Sequence, residues 1–282
     1  MSDRAPIGPL TVVIPLVFLA RGVSRVDHWR EPVSHDGSVP VNFRVQERKI
    51  RTLSTVAELD ALFLDLVSSL RPRIFVEAGA FEAETSLKVA EAVPECTVVA
   101  FEANPYVHRK FTTAKDFAAR GVDYRHQALA GEPGEVTFLV ITDSASLADD
   151  RVEGYNSLLR RTGADWLGDV EYEEVAVAAT TLDREFAAAP GPFALWMDVE
   201  GATEQVLGGA GTFLDRCALL KIEVEETPFW QDQWLAAEVV EKLGSHGLEP
   251  FARDRQTEDQ YNVLFARKRF LPAAFDRVEG LA

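Results

Sequence analysis

Two carboxylates separated by one residue, Asp198 and Glu200, follow the apolar stretch Phe193–Met197 and precede a glycine. Because side chains alternate along an extended strand, we predict that both project from the same side of a strand end. There Asp198 can hold a cationic ligand while Glu200 takes the proton of a second substrate, so these two are the candidate catalytic residues. The alternative is that both only stabilise the N-terminus of the helix that follows.

A pair of acids at a strand end also suits a divalent metal, which needs further oxygen ligands. Asp183 and Glu223 are the candidate partners in space, but no ligand spacing in the sequence requires them, so we predict no metal site. Glu223 follows another apolar strand and is instead a candidate substrate-binding residue, with a solvated loop as the alternative. Among the five histidines, His126 is the alternative base.

A second pair of acids, Glu77 and Glu102, ends two earlier apolar strands, and Gly79 follows the first of them. A glycine turn lets backbone approach a ligand, and an acid that ends the next strand can accept hydrogen bonds from a ribose diol. Taken alone, a glycine after a strand is just as typical of an ordinary turn. The sequence contains neither GxGxxG nor GxxxxGK[ST] at this turn, which favours a nucleotide-type ligand without a pyrophosphate.

An alternation of strands and helices must position these residues. Apolar runs predict strands near 73–78, 97–102, 123–128, 193–199, 217–224, 248–252 and 261–266, and helical spacing predicts helices near 84–92, 105–119, 202–208 and 231–244. This pattern is typical of an α/β fold with a doubly wound, mainly parallel seven-stranded sheet. The polar loop over 253–260 is too short for a helical crossover, so the last strand is predicted to run antiparallel.

Two segments lie outside this alternation. Residues 1–70 are predicted to form an N-terminal extension that ends in a helix over 55–70, which covers a face of the sheet or the ligand. Residues 71–282 form the main domain, and within it residues 135–178 form a β insertion with strands over 135–141 and 172–178. The long loop between these strands carries the candidate substrate-binding residues Tyr155, Asn156 and Ser157, with a solvated surface loop as the alternative.

Composition excludes several classes of partner. The 282-residue chain has 45 acidic and 29 basic residues, a net charge of −16 and a pI of about 4.8. A surface of this sign repels phosphate backbones and anionic lipid, so we predict no nucleic acid and no membrane as partners. Cys96 and Cys217 are too few for a disulfide framework and are predicted to be reduced and buried. The apolar stretch from Leu10 to Ala20 is interrupted by Pro15, which indicates a buried strand of a cytoplasmic protein.

Six short motifs carry a more specific indication. They are Val76-Glu-Ala-Gly-Ala80, Phe101-Glu-Ala-Asn-Pro105, Gln127-Ala-Leu-Ala130 with Gly134, Thr181-Leu-Asp183, Met197-Asp-Val-Glu-Gly-Ala202 and Val206-Leu-Gly-Gly-Ala210. Together they resemble the FkbM-type family of S-adenosylmethionine-dependent methyltransferases over about residues 70–268. The resemblance implies a Rossmann-like class I methyltransferase fold with S-adenosylmethionine as cofactor. It places the cofactor contacts at Glu77, Gly79, Ala80, Phe81, Thr85, Ser86, Glu102, Ala103, Asn104, Gln127, Ala128 and Asp198.

The chain departs from the family pattern at six positions. The family usually has Asp at Glu77, Asn at Phe81, Gly at Ala83, Pro at Ala103, Lys at Trp196 and Glu at Thr203. The changes at Phe81 and Ala83 fall in the loop that the resemblance places around the methionine part of the cofactor.

The resemblance and the paired carboxylates predict an O-methyltransferase that acts on a hydroxyl of a sugar, glycoconjugate or polyketide-type natural product. Its partner would be a small-molecule or glycan acceptor, and association into a homo-oligomer is compatible with the sequence. Methylation of a nitrogen or a carboxylate is the alternative within the same class. A catalytically silent nucleotide-binding or interaction protein is the alternative from another class.

Overall fold

A large sheet forms the centre of the computed structural model, which describes residues 50–144, 153–163 and 167–279. The strands are β1 (Arg51–Thr52), β2 (Ile74–Ala78), β3 (Thr97–Glu102), β4 (Val122–His126), β5 (Ala128–Leu129), β6 (Gly134–Ser144), β7 (Val170–Thr180), β8 (Phe193–Met197), β9 (Cys217–Glu225), β10 (Leu248–Arg253) and β11 (Gln260–Arg267). The main sheet has the order β1-β10-β11-β9-β8-β2-β3-β4. It contains the seven predicted strands, and β1 adds a short strand at one edge.

The directions of the strands create a crevice at one edge of this sheet. β2 pairs in parallel with β3 and with β8, and β8 pairs in parallel with β9. β11 runs antiparallel to β9 and β10, which confirms the prediction made from the short loop before it. Because the chain order reverses between β2 and β8, the carboxyl ends of these strands border the place where α/β proteins bind ligands.

Helices cover both faces of the sheet. They are α1 (Val56–Leu70), α2 (Glu84–Ala92), α3 (Pro105–Ala114), α4 (Leu182–Glu185), α5 (Thr203–Gly208), α6 (Gly211–Leu214), α7 (Ala236–Ser245) and α8 (Leu271–Glu279). One core contains Phe63 of α1 packed with Phe75 of β2, and the other contains Phe193 of β8 with Val240 of α7. Apolar residues on both faces of the central strands explain why their sequence is continuously apolar instead of alternating.

Helix α1 shows how local sequence sets the ends of an element. The Thr55 side chain accepts a hydrogen bond from the Glu58 N–H at 3.1 Å, and the Glu58 carboxylate accepts one from the Thr55 N–H at 3.3 Å. This capping box starts the helix, and Arg71 ends it in a left-handed conformation just before Pro72. Buried side chains such as Leu59 and Phe63 face the sheet, so α1 covers one of its faces.

Three predicted boundaries are wrong here, and a fourth, the end of β8, is wrong at the site. The helix predicted over 105–119 ends at Ala114 and is followed by a separate turn of 3₁₀ helix, Ala118–Arg120. The helix predicted over 231–244 begins at Ala236, because the Gln233 side chain accepts the N–H groups of residues 229 and 230 and holds them in a turn. The strand predicted over 123–128 ends at His126, and β5 joins another sheet.

Strands β5, β6 and β7 form a separate three-stranded sheet. Its order is β5-β7-β6, with β6 antiparallel to β7 along most of both strands. The described part of the connecting loop, 153–163, returns to this sheet through a bridge between Leu139 and Ser157. The expectation of a buried strand at Leu10 to Ala20 lies outside the described residues.

Two further expectations concern burial and membranes. Cys96 and Cys217 are free and buried, as predicted, and burial raises the pKa of both thiols to about 12. Every helix in the described part of the chain is too short or too polar to cross a bilayer.

Candidate functional site

The turn after β2 brings three strands together. The N–H groups of Gly79 and Ala80 both donate to the Phe101 carbonyl of β3, at 3.1 and 2.9 Å. Gly79 has a φ of +73°, and a Cβ there would lie 1.7 Å from the carbonyl oxygen of Asp198, just after β8. A glycine is therefore required here because the Asp198 backbone fills the space of a side chain. The sequence had instead predicted that a ligand approaches the backbone at this turn.

The loop that follows contains two residues in an unfavourable conformation. Phe81 and Ala83 have φ values of +48° and +53°, and these are the positions where the family usually has Asn and Gly. A side chain in the left-handed region costs about 1–2 kcal/mol, which Asn and Gly largely avoid. Here the Phe81 ring packs edge-on against Phe111, with 5.2 Å between centroids, and the Tyr124 hydroxyl donates to the Phe81 carbonyl. These contacts hold the loop in place without the usual residues.

Glu102 ends β3 in a well-defined position. Its carboxylate accepts the N–H of Phe81 at 2.7 Å and the N–H of Asn104 at 2.7 Å. Burial raises the pKa of Glu102 to about 7, and the two N–H bonds act in the opposite direction. The Asn104 side chain in turn accepts the N–H groups of Tyr106 and Val107 and so caps helix α3.

A cavity of about 250 Å³ lies at the carboxyl ends of the strands. Ten of the residues predicted from the sequence line it, and they are Gly79, Phe81, Glu102, Ala103, Asn104, Gln127, Ala128, Asn156, Asp198 and Glu200. Among them, Glu102 ends β3 and Asp198 follows β8, and these two strands flank β2. The cavity thus joins the two pairs of acids that the sequence pointed to separately.

Seven predicted site residues lie outside the cavity lining. They are Glu77, Ala80, Thr85, Ser86, Tyr155, Ser157 and Glu223. Glu77 accepts the backbone N–H of Ser86 at 2.9 Å and also the Ser86 hydroxyl, so it fastens the start of helix α2 to β2. Burial raises the pKa of Glu77 to about 7, and the bonds from Ser86 oppose this.

Most of the remaining lining is apolar and, apart from Leu129 next to Gln127 and Ala128, was not predicted. It consists of Phe101, Val107, Leu129, Phe138, Gly154, Leu158, Val199, Ala202 and Val206. Phe138 and Leu158 belong to the insertion, which therefore forms one wall of the cavity. The apolar run over 135–141 was visible in the sequence, but its approach to β3 depends on the pairing of β7 with β5.

The carboxylates after β8 are arranged differently from the extended strand that the sequence predicted. β8 ends at Met197, and the Asp198 N–H still donates to the Ala78 carbonyl at 2.9 Å, which continues the pairing with β2. Glu200 has a φ of +50° and is not extended. Gly201 follows at φ +79°, and a Cβ there would lie 2.6 Å from the Trp230 ring. The direction of the Glu200 side chain is therefore set by this turn and not by the alternation of side chains along a strand.

Glu223 joins Asp198 and Glu200, and one carboxylate oxygen of each lies within 4.8 Å of the others. We call these three residues the acid trio. Asp183 is held elsewhere, since its carboxylate accepts the N–H groups of Thr212 and Phe213 at the start of α6. Acids gather in this way without a cation as well, so we assign no metal to the trio.

Crowding changes the protonation of these acids. Burial raises the pKa of Glu200 well above its usual value, Asp198 and Glu223 raise it further, and the Arg161 guanidinium opposes them. Burial likewise raises the pKa of Glu223 to about 9 and that of the adjoining Glu225 to about 7. Like charges at this spacing disfavour ionisation of all three acids, so we expect the site to hold carboxyl protons as well as carboxylates near neutral pH.

The described part of the insertion loop is fastened to the acid trio. The Ser157 hydroxyl donates to the Glu200 carbonyl at 2.6 Å, and the Ser157 carbonyl accepts the Leu139 N–H at 2.9 Å. The Asn156 side-chain oxygen accepts the Ile141 N–H at 2.7 Å. Tyr155 is 37% exposed, and burial of its phenol together with the nearby Glu200 raises its pKa.

His126, the alternative base, is exposed on β4. Its Nε2 lies 3.2 Å from the Ala103 carbonyl, and its ring stacks on His108 with 5.3 Å between centroids. It lies outside the lining of the cavity.

Comparisons with known proteins give several similar solved structures and one family model. Solved structures that resemble the chain include methyltransferase FkbM from Methylobacillus flagellatus KT, at 11% identity over 69% of this chain and 44% of that one, with a TM-score of 0.42. Precorrin-6y C5,15-methyltransferase from Geobacter metallireducens GS-15 resembles it at 12% identity over 78% and 95%, with a TM-score of 0.40. The human N-acetylserotonin methyltransferase in complex with SAM does so at 10% identity over 75% and 52%, with a TM-score of 0.35.

The chain spans less than half of the length of the Methylobacillus structure. A search of curated protein sequences gives no match. Residues 73–250 match the model of the methyltransferase FkbM domain, and this match covers more than half of the 282 residues. The chain therefore belongs to the FkbM methyltransferase family.

Proposed function

We propose that the protein is an S-adenosylmethionine-dependent O-methyltransferase that acts on a hydroxyl of a sugar, glycoconjugate or polyketide-type natural product. The observation that carries the proposal is one cavity lined both by Glu102 after β3 and by Asp198 and Glu200 after β8, on the two sides of β2. A ligand that spans the cavity can donate hydrogen bonds to Glu102 with one part and place another part beside Asp198 and Glu200. The acceptor molecule would then enter beside the acid trio.

The residues present fit this cofactor. Each Glu102 oxygen accepts one backbone N–H, which leaves a second lone pair on each for the two hydroxyls of a ribose. Phe101, Leu129 and Phe138 provide apolar surface for an adenine ring. Asp198 places negative charge where the cationic end of the molecule would lie. When bound, S-adenosylmethionine supplies a methyl group carried on a sulfonium.

Transfer of that methyl group requires alignment and removal of one proton. Positioning of two reactants in a closed site can supply much of the rate enhancement. A hydroxyl attacks poorly while it keeps its proton, and Glu200 is the candidate base for it. Its raised pKa makes it a stronger base than a solvent-exposed carboxylate once it is ionised. Glu223 lies beside it and can share the proton.

The negative charge of the acid trio affects which class of methyl acceptor can approach. A carboxylate acceptor would have to approach Asp198, Glu200 and Glu223, and like charges disfavour that approach. A hydroxyl or a neutral amine meets no such repulsion. A hydroxyl also needs a base such as Glu200 before it attacks, whereas a neutral amine does not, so we place O-methylation first and N-methylation second. The small-molecule or glycan character of the acceptor belongs to the same proposal.

Titration of the full-length protein with S-adenosylhomocysteine in a calorimeter tests the cofactor part of the proposal. We expect binding with one site per chain, and an absence of binding heat at several temperatures would favour the silent protein. A panel of sugars, glycosides, polyketide alcohols, amines and carboxylic acids, assayed by mass spectrometry for a gain of one methyl group, tests the acceptor. Methylation confined to carboxylic acids would overturn the O-directed assignment.

A further inference from the structure

Lys221 is a buried cation beside the acid trio. Its side chain is 4% exposed, and its Nζ donates to Asp60 of helix α1 at 2.6 Å. The same Nζ lies 3.6 Å from the centre of the Trp196 ring. Removing an ammonium from water is costly, and an ion pair together with an aromatic face offsets part of that cost. The lysine is thus held in one place by two different contacts.

The register of the sheet places Lys221 and Asp198 on the same face. Trp196 of β8 is paired with Lys221 of β9. Asp198 lies two residues beyond Trp196 and continues the pairing with β2 through its N–H bond to Ala78. Side chains two residues apart on a strand share a face, so Asp198 is a diagonal neighbour of Lys221. Asp60, Lys221 and Asp198 therefore alternate in charge from helix α1 to the cavity.

We propose that Lys221 is a positioning residue of the cofactor site, whose ammonium, held by Asp60 and Trp196, stabilises the negative charge of Asp198 that attracts the cationic end of the cofactor. This inference rests on the proposed function. Lys221 does not itself line the cavity, so it acts through Asp198.

Electrostatics of the site agree with this role. Asp198 keeps access to solvent, but desolvation by the surrounding protein still raises its pKa; Lys221 lowers this pKa and Asp60 raises it. Other titratable or charged groups interact electrostatically with Asp198 or with its acidic neighbours. They are Glu77 of β2, Glu102 of β3, Glu223 and Glu225 of β9, Glu200, and Tyr155 and Arg161 of the insertion. Most of these are acids whose pKa is raised by the Asp198 charge, and wherever they are ionised they disfavour that charge in return. Lys221 is the cation that opposes them from the side of helix α1.

A purely structural role makes a different prediction. If the ion pair only fastens α1 to the sheet, Lys221→Met and Asp60→Asn break the same contact and have the same effect. If Lys221 acts on the charge of Asp198, the two variants have opposite effects, since Lys221 favours ionisation and Asp60 disfavours it.

The test is the affinity of the full-length protein for S-adenosylmethionine, measured by calorimetry between pH 5.5 and pH 9. The contribution of an ionised Asp198 is present above its pKa and is lost as the pH falls through it. Lys221→Met should move this loss of affinity upward by about one pH unit and weaken binding at pH 7 by about tenfold, whereas Lys221→Arg should restore it. Asp60→Asn should move the loss downward. Lys88→Met, which removes an exposed charge on α2, is the matched control and should match the parent.

A second experiment combines Lys221→Met with Asp198→Asn. Lys221→Met should have no further effect on affinity or on its pH dependence in an Asp198→Asn background. Parent-like pH dependence of Lys221→Met, or shifts in the same direction for Lys221→Met and Asp60→Asn, would overturn the inference. If Lys221→Met does not fold, Asp60→Asn still decides, because an unchanged or upward shift contradicts the charge effect. A parent protein that binds no S-adenosylmethionine at any pH would instead contradict the proposed function.

Discussion

Gly79 and Asp198 touch through their backbones, because the space for a Cβ at Gly79 is filled by the Asp198 carbonyl oxygen at 1.7 Å. This contact links the turn after the first long strand with the acids after β8. Any side chain at Gly79 must displace Asp198, the residue that we expect to meet the cofactor. The position is therefore sensitive for stability and for binding at once.

We expect Gly79→Ala to lower the free energy of unfolding by about 1–3 kcal/mol or more and to weaken cofactor binding at least tenfold. Denaturant unfolding and calorimetry measure the two effects. Gly244→Ala in helix α7 is the control, since a Cβ there meets nothing within 4 Å, and it should be neutral or stabilising by up to about 1 kcal/mol. Parent-like stability and affinity of Gly79→Ala would contradict the contact.

Glu102 should be the main polar contact of the cofactor ribose. Loss of a charged hydrogen-bond partner costs about 1.5–3 kcal/mol, so Glu102→Ala should weaken cofactor affinity by about ten- to a hundredfold. Glu132→Ala, which changes an exposed acid after β5, is the matched control. Equal affinities of the two variants by calorimetry would remove Glu102 from the site.

Glu200 should take the proton of the acceptor. Glu200→Gln keeps the shape of the side chain and removes its basicity, so turnover should fall by about 10²–10⁴ with cofactor affinity nearly unchanged. Asp198→Asn should mainly weaken cofactor binding. Glu204→Gln, an exposed change on α5, should retain the parent rate. A parent-like rate of Glu200→Gln with an acceptor identified in the panel would show that the proton goes elsewhere.

The acids whose pKa values are raised should make the cofactor-free protein less stable as the pH rises. The pKa values of Glu77, Glu102 and Glu225 are raised to about 7, and that of Glu223 to about 9. Because these groups bind protons more tightly in the folded state than in the unfolded state, stability is highest near pH 5 and falls as the pH rises through those values. We expect the midpoint of thermal unfolding to fall between pH 5 and pH 9.

Glu223→Gln separates one contribution to this trend. The amide does not ionise, so the decrease in stability between pH 7 and pH 9 should become shallower in this variant. A midpoint that rises with pH in the parent protein would mean that the acids are not buried as described.

Metal removal should leave the reaction intact. Cations bind carboxylates only after the protons have left, and the raised pKa values of Glu200 and Glu223 oppose this. We expect that treatment with EDTA followed by gel filtration leaves methyl transfer unchanged and that added Mg²⁺ has no effect. Loss of activity with EDTA and its recovery with Mg²⁺ would make the acid trio a metal site.

Much of the fold was predictable because it depends on local patterns. Continuous apolar runs predicted the seven main strands, and the short loop before Gln260 predicted the reversal of the last one. Boundaries were less predictable where a single side chain decides them, as Gln233 does for the start of α7. Helix α8 packs on the nearby strand β10 and on helix α1, which is far away in sequence, and α8 was not predicted.

The sequence by itself determined the family, the sheet and the chemical character of the candidate site, because Glu102, Asp198 and Glu200 stand at strand ends that can be read one at a time. Tertiary structure decided which acids meet. Glu223 joins Asp198 and Glu200 because β9 pairs with β8, while Asp183 is used to cap α6. It also decided that Glu200 leaves the strand direction, and that Lys221 lies next to Asp198. These outcomes depend on register and on left-handed turns, which are set by contacts between residues distant in the chain.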